Sequence, residues 1–436
     1  MSKIRAEWEP LKKVVIHRPG MEMFFGLMDP VNSLYERAFS RKGAVREHEN
    51  LENVLSKEFN VEVIRLKDTI VQAANKDEKI RAKLIEAART VIQRSAKTTL
   101  HQELLREFDN NTKYLDSEDF FELIVLNPGL EITFKGGLHN IMVNIQGKQP
   151  YSNLYFMRDQ QFVTDKGLIL ARMANPVRQG EPQVTKFLWN EVLGVPIFHE
   201  IEEPGVIEGG EFIPMGAFAL VGIGSRTNRA AIDQLVSLPF NFEELGVVHQ
   251  PLHPLISASE PDPMVNMHLD TYFNVVSSHV VVGNELLLKN AEVEIWHNEG
   301  KKKFIRAKKK TSLYEYIKSK KFEIINITTL EQLSYASNFL CIDDGKVLAI
   351  EVAQVVEGVL RNLAIKAKQD AKRYGKLYAQ SKKDFEELKK KGEFFPHKKE
   401  MSAYGINFYP VILKNLTGGY GGAHCMTCSL SREKKA

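Results

Sequence analysis

Residues 418–430 read GGYGGAHCMTCSL, a histidine and two cysteines three apart behind four glycines. The chain's remaining cysteine is Cys341. Such a stretch fits three chemistries: half of a metal site, a redox dithiol, or a single nucleophile. A structural zinc site takes four nitrogen or sulfur ligands, commonly as two close pairs. Cys425, Cys428 and the adjacent His424 offer one pair, but Cys341 stands alone in NFLCIDD and no second pair is visible. Haem attachment needs a histidine directly after the second cysteine, where Ser429 stands. A thioredoxin-like dithiol belongs near the start of a βαβ unit rather than at the end of a chain. A nucleophile remains, and Cys425 is favoured because the glycines before it allow close approach. Cys428 is then a packing residue.

Three more polar clusters sit inside otherwise apolar, strand-like runs, where burial demands partners. NLYFMRDQQF sets Asn153, Arg158 and Asp159 beside Tyr155 and Phe156. VIEGGEFIPMG sets Glu208 and Glu211 around Gly209 and Gly210. NMHLDTYFNVV sets His268 and Asp270 two apart at the head of a strand, a spacing that points both side chains the same way. Taken singly, each has a plainer reading: a surface ion pair, a turn, a structural hydrogen bond. Taken together with a glycine-flanked cysteine, the acids, the imidazole and the thiol are the parts of cysteine nucleophilic catalysis on a cationic substrate.

These residues need a scaffold, and the pattern around them predicts an α/β body. Strand-like runs are KKVVIHRPG, VEVIRL (61–66), GLILARM (167–173), AFALVGIG (217–224), YFNVVSSHVVVG (272–283), KVLAI (346–350) and INFYPVIL (406–413). Helical patterns over 35–59 and 228–238 lie between some of them. Residues 67–150 read as an inserted helical subdomain, with Ile80, Leu84, Ala87, Ala88 and Val91 on one face. The body is then 1–66 plus 151–436, and 351–400 is a charged helical insertion within it. Its bland reading is a solvated protrusion, since Asp384, Glu386 and Glu387 interrupt the lysines. KKKFIRAKKK (301–310) reads as a basic surface hairpin.

The chain has 436 residues, 43% hydrophobic and 26% charged, with net charge +4. That is ordinary globular composition, too weakly basic to argue for nucleic acid as a partner. No apolar run approaches the roughly 18 residues needed to span a bilayer. The opening MSKIRAEWEPLKKVVIHRPG carries no signal-peptide pattern. Few cysteines and no leader predict a cytoplasmic protein with reduced thiols.

The motifs resemble those of arginine deiminases, within the guanidine-modifying enzyme superfamily. The segments are EWEPLKKVVIHRPG, PYSNLYFMRD, ANPVRQGE, VIEGGEFIPMG, GIGSRTNR, MHLDTYF and GGAHCMTC, in order and at similar spacing. They cover most of the chain apart from 351–400. The resemblance implies a pentein-like, five-bladed pseudo-symmetric α/β propeller with the site in its central channel. It implies Cys425 as nucleophile, His268 and Glu208 as acid–base group and orienter, and Asp159 and Asp270 on the two sides of a guanidinium. Asn153, Phe156, Arg178 and Arg226 match positions that hold the rest of the substrate, and Glu211 and Tyr420 belong to the same shell. The implied reaction is hydrolysis of L-arginine to L-citrulline and ammonia through an S-amidino-cysteine, with no metal or organic cofactor, in a homo-oligomer.

The chemistry suits these residues. A guanidinium offers its donors in a planar fork that paired carboxylates match. A bound cation and a protonated His268 both favour a thiolate. Three positions depart from the family pattern. Tyr420 replaces an arginine of the Gly-rich loop, Glu36–Arg37 replaces an acidic pair, and Glu211 replaces an aspartate. Alternatives are therefore agmatine, a methylated arginine, citrulline as a ureido substrate, or amidino transfer to an amine. A non-catalytic binding protein is the reading from another class, and the intact Cys425, His268, Glu208, Asp159 and Asp270 argue against it.

Overall fold

The computed structural model describes residues 3–93, 100–134, 141–147, 150–257, 262, 265–300 and 304–433. One strand pattern recurs five times among them. A first strand pairs antiparallel with a second, and the second pairs parallel with a third. The triplets are Gln161–Val163, Leu168–Leu170 and Ile197–Glu200; Phe212–Met215, Phe218–Ile223 and Glu244–His249; Phe273–Val275, Val280–Gly283 and Glu323–Asn326; and Leu340–Asp343, Lys346–Ile350 and Asn407–Val411. The last joins the chain ends: Cys428–Arg432, Leu11–Ile16 and Glu62–Arg65. The sheets are open, and the second is widened to five strands by the hairpin Glu292–Asn298 and Phe304–Ser312.

Each parallel step needs a crossover, and helices supply it. Examples are Arg41–Asn53 in the last unit and Arg229–Ser237 in the second. The middle strands are buried on both faces: Val280 and Val282 pack in one hydrophobic cluster and Val281 in another. They accordingly read as unbroken apolar runs, such as Val280–Val282, buried at every position. Burying one such side chain stabilises by about 1.5–3 kcal/mol.

Several boundaries differ from the sequence expectation for physical reasons. The helix expected over 35–59 begins at Arg41, because the Ser40 hydroxyl accepts the Gly43 amide as a cap. Residues 36 and 37 instead bond along the Gly-rich loop, with the Glu36 amide on Gly418 O at 2.7 Å. Within 67–150, helices run to Leu126. There Asn127 turns left-handed at φ 46° and Pro128 has no amide to donate. A hairpin of Pro128–Phe134 and Ile141–Gly147 follows. The run 272–283 is two strands, folded where the Val276 and Ser277 amides meet Val280 O. The charged stretch after 351 is the crossover of the fourth unit. It forms helices Val356–Gln369 and Ala371–Lys391, here called the arm, with Val359, Leu363, Leu377 and Leu388 buried on one face. Among the described residues no helix is long and apolar enough to cross a membrane.

Candidate active site

Arg178 and Arg226 follow the second strands of their units, whereas Asp159, Glu208, His268, Asp270 and Cys425 share one structural position. Each lies in the segment just before the first strand of a unit. Asp159 precedes Gln161–Val163, Glu208 precedes Phe212–Met215, and His268 and Asp270 precede Phe273–Val275. Cys425 precedes Cys428–Arg432. The fourth unit contributes Asn338 before Leu340–Asp343, a residue that the sequence reading missed. These segments hydrogen-bond to one another in a ring. Gly209 N donates to Asp159 O at 3.0 Å, Leu269 N to Glu211 Oε2 at 2.9 Å, and Ser337 Oγ to Asp270 O at 3.2 Å. His424 N donates to Asn338 O at 3.1 Å, and Arg158 N closes the ring on Cys425 O at 3.0 Å.

Cys425 is 3% exposed. Asn338 fixes it from both ends: Nδ2 lies 3.1 Å from Sγ, while Oδ1 accepts the amides of Cys425 (3.1 Å) and Gly422 (2.8 Å). A Cβ on Gly421 would stand 2.9 Å from the Cys425 Cβ, so this turn is closed to larger residues. Burial pushes the thiol pKa well up, and the anions Asp270 and Asp159 push it further. The thiol is therefore protonated, with those two carboxylates beside it.

His268 Nε2 and Glu208 Oε2 are 2.8 Å apart, and Nδ1 lies 3.8 Å from Asp159 Oδ1. Burial disfavours the imidazolium, but Asp159 and the Glu208 hydrogen bond outweigh it and raise the pKa to about 9. Glu208 is held in its charged form at about 2: burial opposes this, and the bond to His268 and the charge of Arg226 overcome it. His268 and Asp270 do not share a strand face, because residues 269–271 form a turn between them. Asp270 points instead to His424, whose Nδ1 is 2.7 Å from Oδ2, and the same oxygen lies 3.6 Å from the thiol. Asp159 Oδ1 and Asp270 Oδ1 are both buried without a hydrogen-bond partner among the described residues.

The two arginines differ. Arg178 donates to Asp159 Oδ2 at 2.7 Å and to Glu181 Oε2 at 2.8 Å. Arg226 Nη1 stays 3.9 Å from Glu208 Oε1, beyond hydrogen bonding. Both line a small cavity of about 20 Å³ with Leu34, Asn153, Phe156, Asp159, Met267, His268, Tyr420 and Cys425. Asn153 is held by its Nδ2 on Ser33 O at 2.7 Å. Glu211 lies outside the lining set, its carboxylate turned to the Leu269 amide; burial lifts its pKa to about 7. Arg158, next to Asp159, is not a surface partner but bonds the buried Glu7 at 3.1 Å. Cys428 is buried, with its thiol pushed by burial to about 11. Asp159, Glu208 and His268 place ligand atoms within 4.8 Å of one another, close enough for a metal ion. An ion there would compete with the His268–Glu208 bond.

Residues 32–432 match the arginine deiminase family. This chain belongs to that family. An arginine deiminase of Halobacterium salinarum is 25% identical over 520 residues, covering 98% of this chain and 96% of its own. That of Treponema denticola is 27% identical over 391 residues, covering 83% and 92%. Among solved structures, SxtG, an amidinotransferase of Microseira wollei, superposes with TM-score 0.50 at 12% identity, over 100% of this chain and 98% of its own. A mutant of AgrE in complex with L-arginine gives TM-score 0.51 at 12% identity, over 97% of this chain and 40% of its own. Likeness at that identity concerns the fold alone: α/β, built from open sheets.

Proposed function

We propose that this arginine deiminase family member hydrolyses L-arginine to L-citrulline and ammonia through a covalent S-amidino-cysteine. The observation that carries this is the pair of orphaned carboxylate oxygens, Asp159 Oδ1 and Asp270 Oδ1, beside the Cys425 thiol. Buried acceptors without donors are costly. A guanidinium supplies paired donors at fixed spacing and satisfies both. Burial is the main cause that holds the thiol protonated and the two anions add to it, so a bound cation that offsets their charge favours the thiolate. Arg226 takes the α-carboxylate, since Arg178 is already bonded to Asp159 and Glu181.

The thiol proton passes to water as Cys425 Sγ bonds to the guanidinium carbon. His268, protonated at neutral pH, gives its proton to the departing amino group, and ammonia leaves. Neutral His268 then takes a proton from water, which adds to the amidino carbon. Collapse expels the Cys425 sulfur and releases citrulline. Proton transfer from a placed group of this kind contributes about 10²–10⁴-fold. In this reading the five strand triplets are blades of an α/β propeller, consistent with the ring of hydrogen bonds among their leading segments.

The test is incubation with L-arginine in parallel with agmatine, a methylated arginine and citrulline. Citrulline and ammonia should appear from L-arginine in equal amounts. Turnover of another guanidine instead, with Cys425 still open to alkylation, would transfer the chemistry to that substrate and defeat this assignment.

A further inference from the structure

We infer that the arm, Val356–Lys391, is a clamp on the mouth of the substrate cavity, acting through Tyr374 and Arg373 on Asp262 and through Asn362 on Glu36. Leu34 and Met267 line the cavity from opposite loops. The arm holds each loop a few residues from that contact. Asn362 Nδ2 donates to Glu36 Oε1 at 3.0 Å, two residues after Leu34. The Tyr374 hydroxyl donates to Asp262 Oδ2 at 2.7 Å, and Arg373 Nη2 reaches the same oxygen at 3.2 Å. Asp262 in turn starts the path to the site: its carbonyl accepts the Val265 and Asn266 amides at 3.0 and 3.3 Å, just before Met267 and His268.

Three features argue for a clamp rather than a loose protrusion. Asp262 is 4% exposed, and a buried carboxylate depends on its donors. Leu363 and Leu377 pack with Ile256 and Val265, tying the arm to the His268 side of the mouth. The far end of the second arm helix is anchored, because Asp384 Oδ2 accepts the Leu330 amide at 3.0 Å. The arm thus spans from a fixed point to two loops that wall the cavity.

The backbone shows what is being held. Leu34 and Tyr420 both line the cavity and both are left-handed, at φ 59° and 71°. Non-glycine residues keep that conformation only where their surroundings over-determine it. Glu36 sits on the Leu34 loop, and Arg37 beside it donates to Lys414 O at 2.9 Å and to Thr417 Oγ at 3.2 Å, just ahead of Tyr420. Burial is the main cause that holds the Tyr420 hydroxyl neutral, and the charges of Glu36 and Asp262 add to it. Tyr374, Arg373 and Asn362 lie outside the cavity lining, which makes them positioning residues.

The clamp rests on the site assigned above, and its test separates the two. Tyr374→Phe and Asn362→Ala, singly and together in the full chain, remove single polar contacts and keep the helices. Alkylation of Cys425 by iodoacetamide is followed on its own peptide, with thermal unfolding and L-arginine kinetics beside it. The double variant should alkylate about 5-fold faster and raise KM about 5–10-fold at a kcat within about twofold, the pattern of lost uniform binding. Unchanged alkylation and KM, whatever happens to the unfolding temperature, would reduce the arm to a brace and overturn the inference. A fall in kcat alone would overturn it equally. Should the wild type make no citrulline, the substrate assignment fails, and the alkylation rates by themselves decide the clamp.

Discussion

Two imidazole–carboxylate pairs flank Cys425, and they are built for different work. His268 lines the cavity and bonds Glu208 at 2.8 Å, with Asp159 3.8 Å from its other nitrogen. His424 lies outside the lining, bonds Asp270 at 2.7 Å, and has Glu7 at 3.7 Å behind it. The first pair keeps a proton on His268, where the proposed mechanism has the leaving group depart. The second keeps Asp270 charged: burial opposes that charge, and the His424 hydrogen bond is the largest effect overcoming it. In the mechanism proposed above, the same two functional groups serve acid catalysis on one side and substrate binding on the other, and of the two imidazoles His268 is the one that lines the cavity.

The comparison breaks most sharply at His268. His268→Gln should lower kcat about 10²–10⁴-fold in the citrulline assay, the usual range for a lost general acid–base group. His424→Gln should cost about 10-fold, felt in kcat/KM, because Asp270 loses one charge-favouring hydrogen bond of about 1–2 kcal/mol. Equal losses from the two variants would erase the distinction.

A pH profile sharpens it. The catalytic form of His268 is protonated, so kcat/KM should fall as pH rises through about 9, in the wild type and in His424→Gln alike. Stability carries the same sign. A histidine raised from 6.5 to about 9 contributes stability that is fully present below 6.5 and lost as pH rises through 9. The stability difference between wild type and His268→Gln, measured in urea, should therefore shrink across that window. The smallest effect belongs to Cys428→Ala, which should leave kcat/KM within about twofold, since Cys428 lies outside the cavity lining and its thiol faces Ser429 O at 4.0 Å.

Much of the site was legible because charged groups are conspicuous inside apolar strand patterns. Asp159, Glu208, His268 and Asp270 stood out for that reason, as did a cysteine behind four glycines. Asn338 escaped because a neutral amide in YASNFLCIDD raises no alarm. The signal that could have found it is positional: it precedes its strand Leu340–Asp343 as Asp159 and Cys425 precede theirs. Strand existence was readable from β-branched runs such as Val280–Val282, whereas the shared antiparallel-then-parallel order is a property of pairing that no local pattern encodes. The turn over 269–271 defeated the expectation that His268 and Asp270 point together, since alternation holds only within a strand. The arm was misleading for a different reason. Its lysines announce solvent, while the buried apolar residues and the Tyr374–Asp262 contact that give it a place on the site depend on distant segments.

The central claim is that Cys425 becomes covalently bonded to the guanidino carbon. It is tested by acid-quenching the enzyme within one turnover of L-arginine labelled at that carbon, then digesting and locating the label. The account predicts label on the peptide carrying Cys425, and none there in Cys425→Ser. Citrulline formed at full rate by Cys425→Ser, or label confined to Cys428, would contradict it.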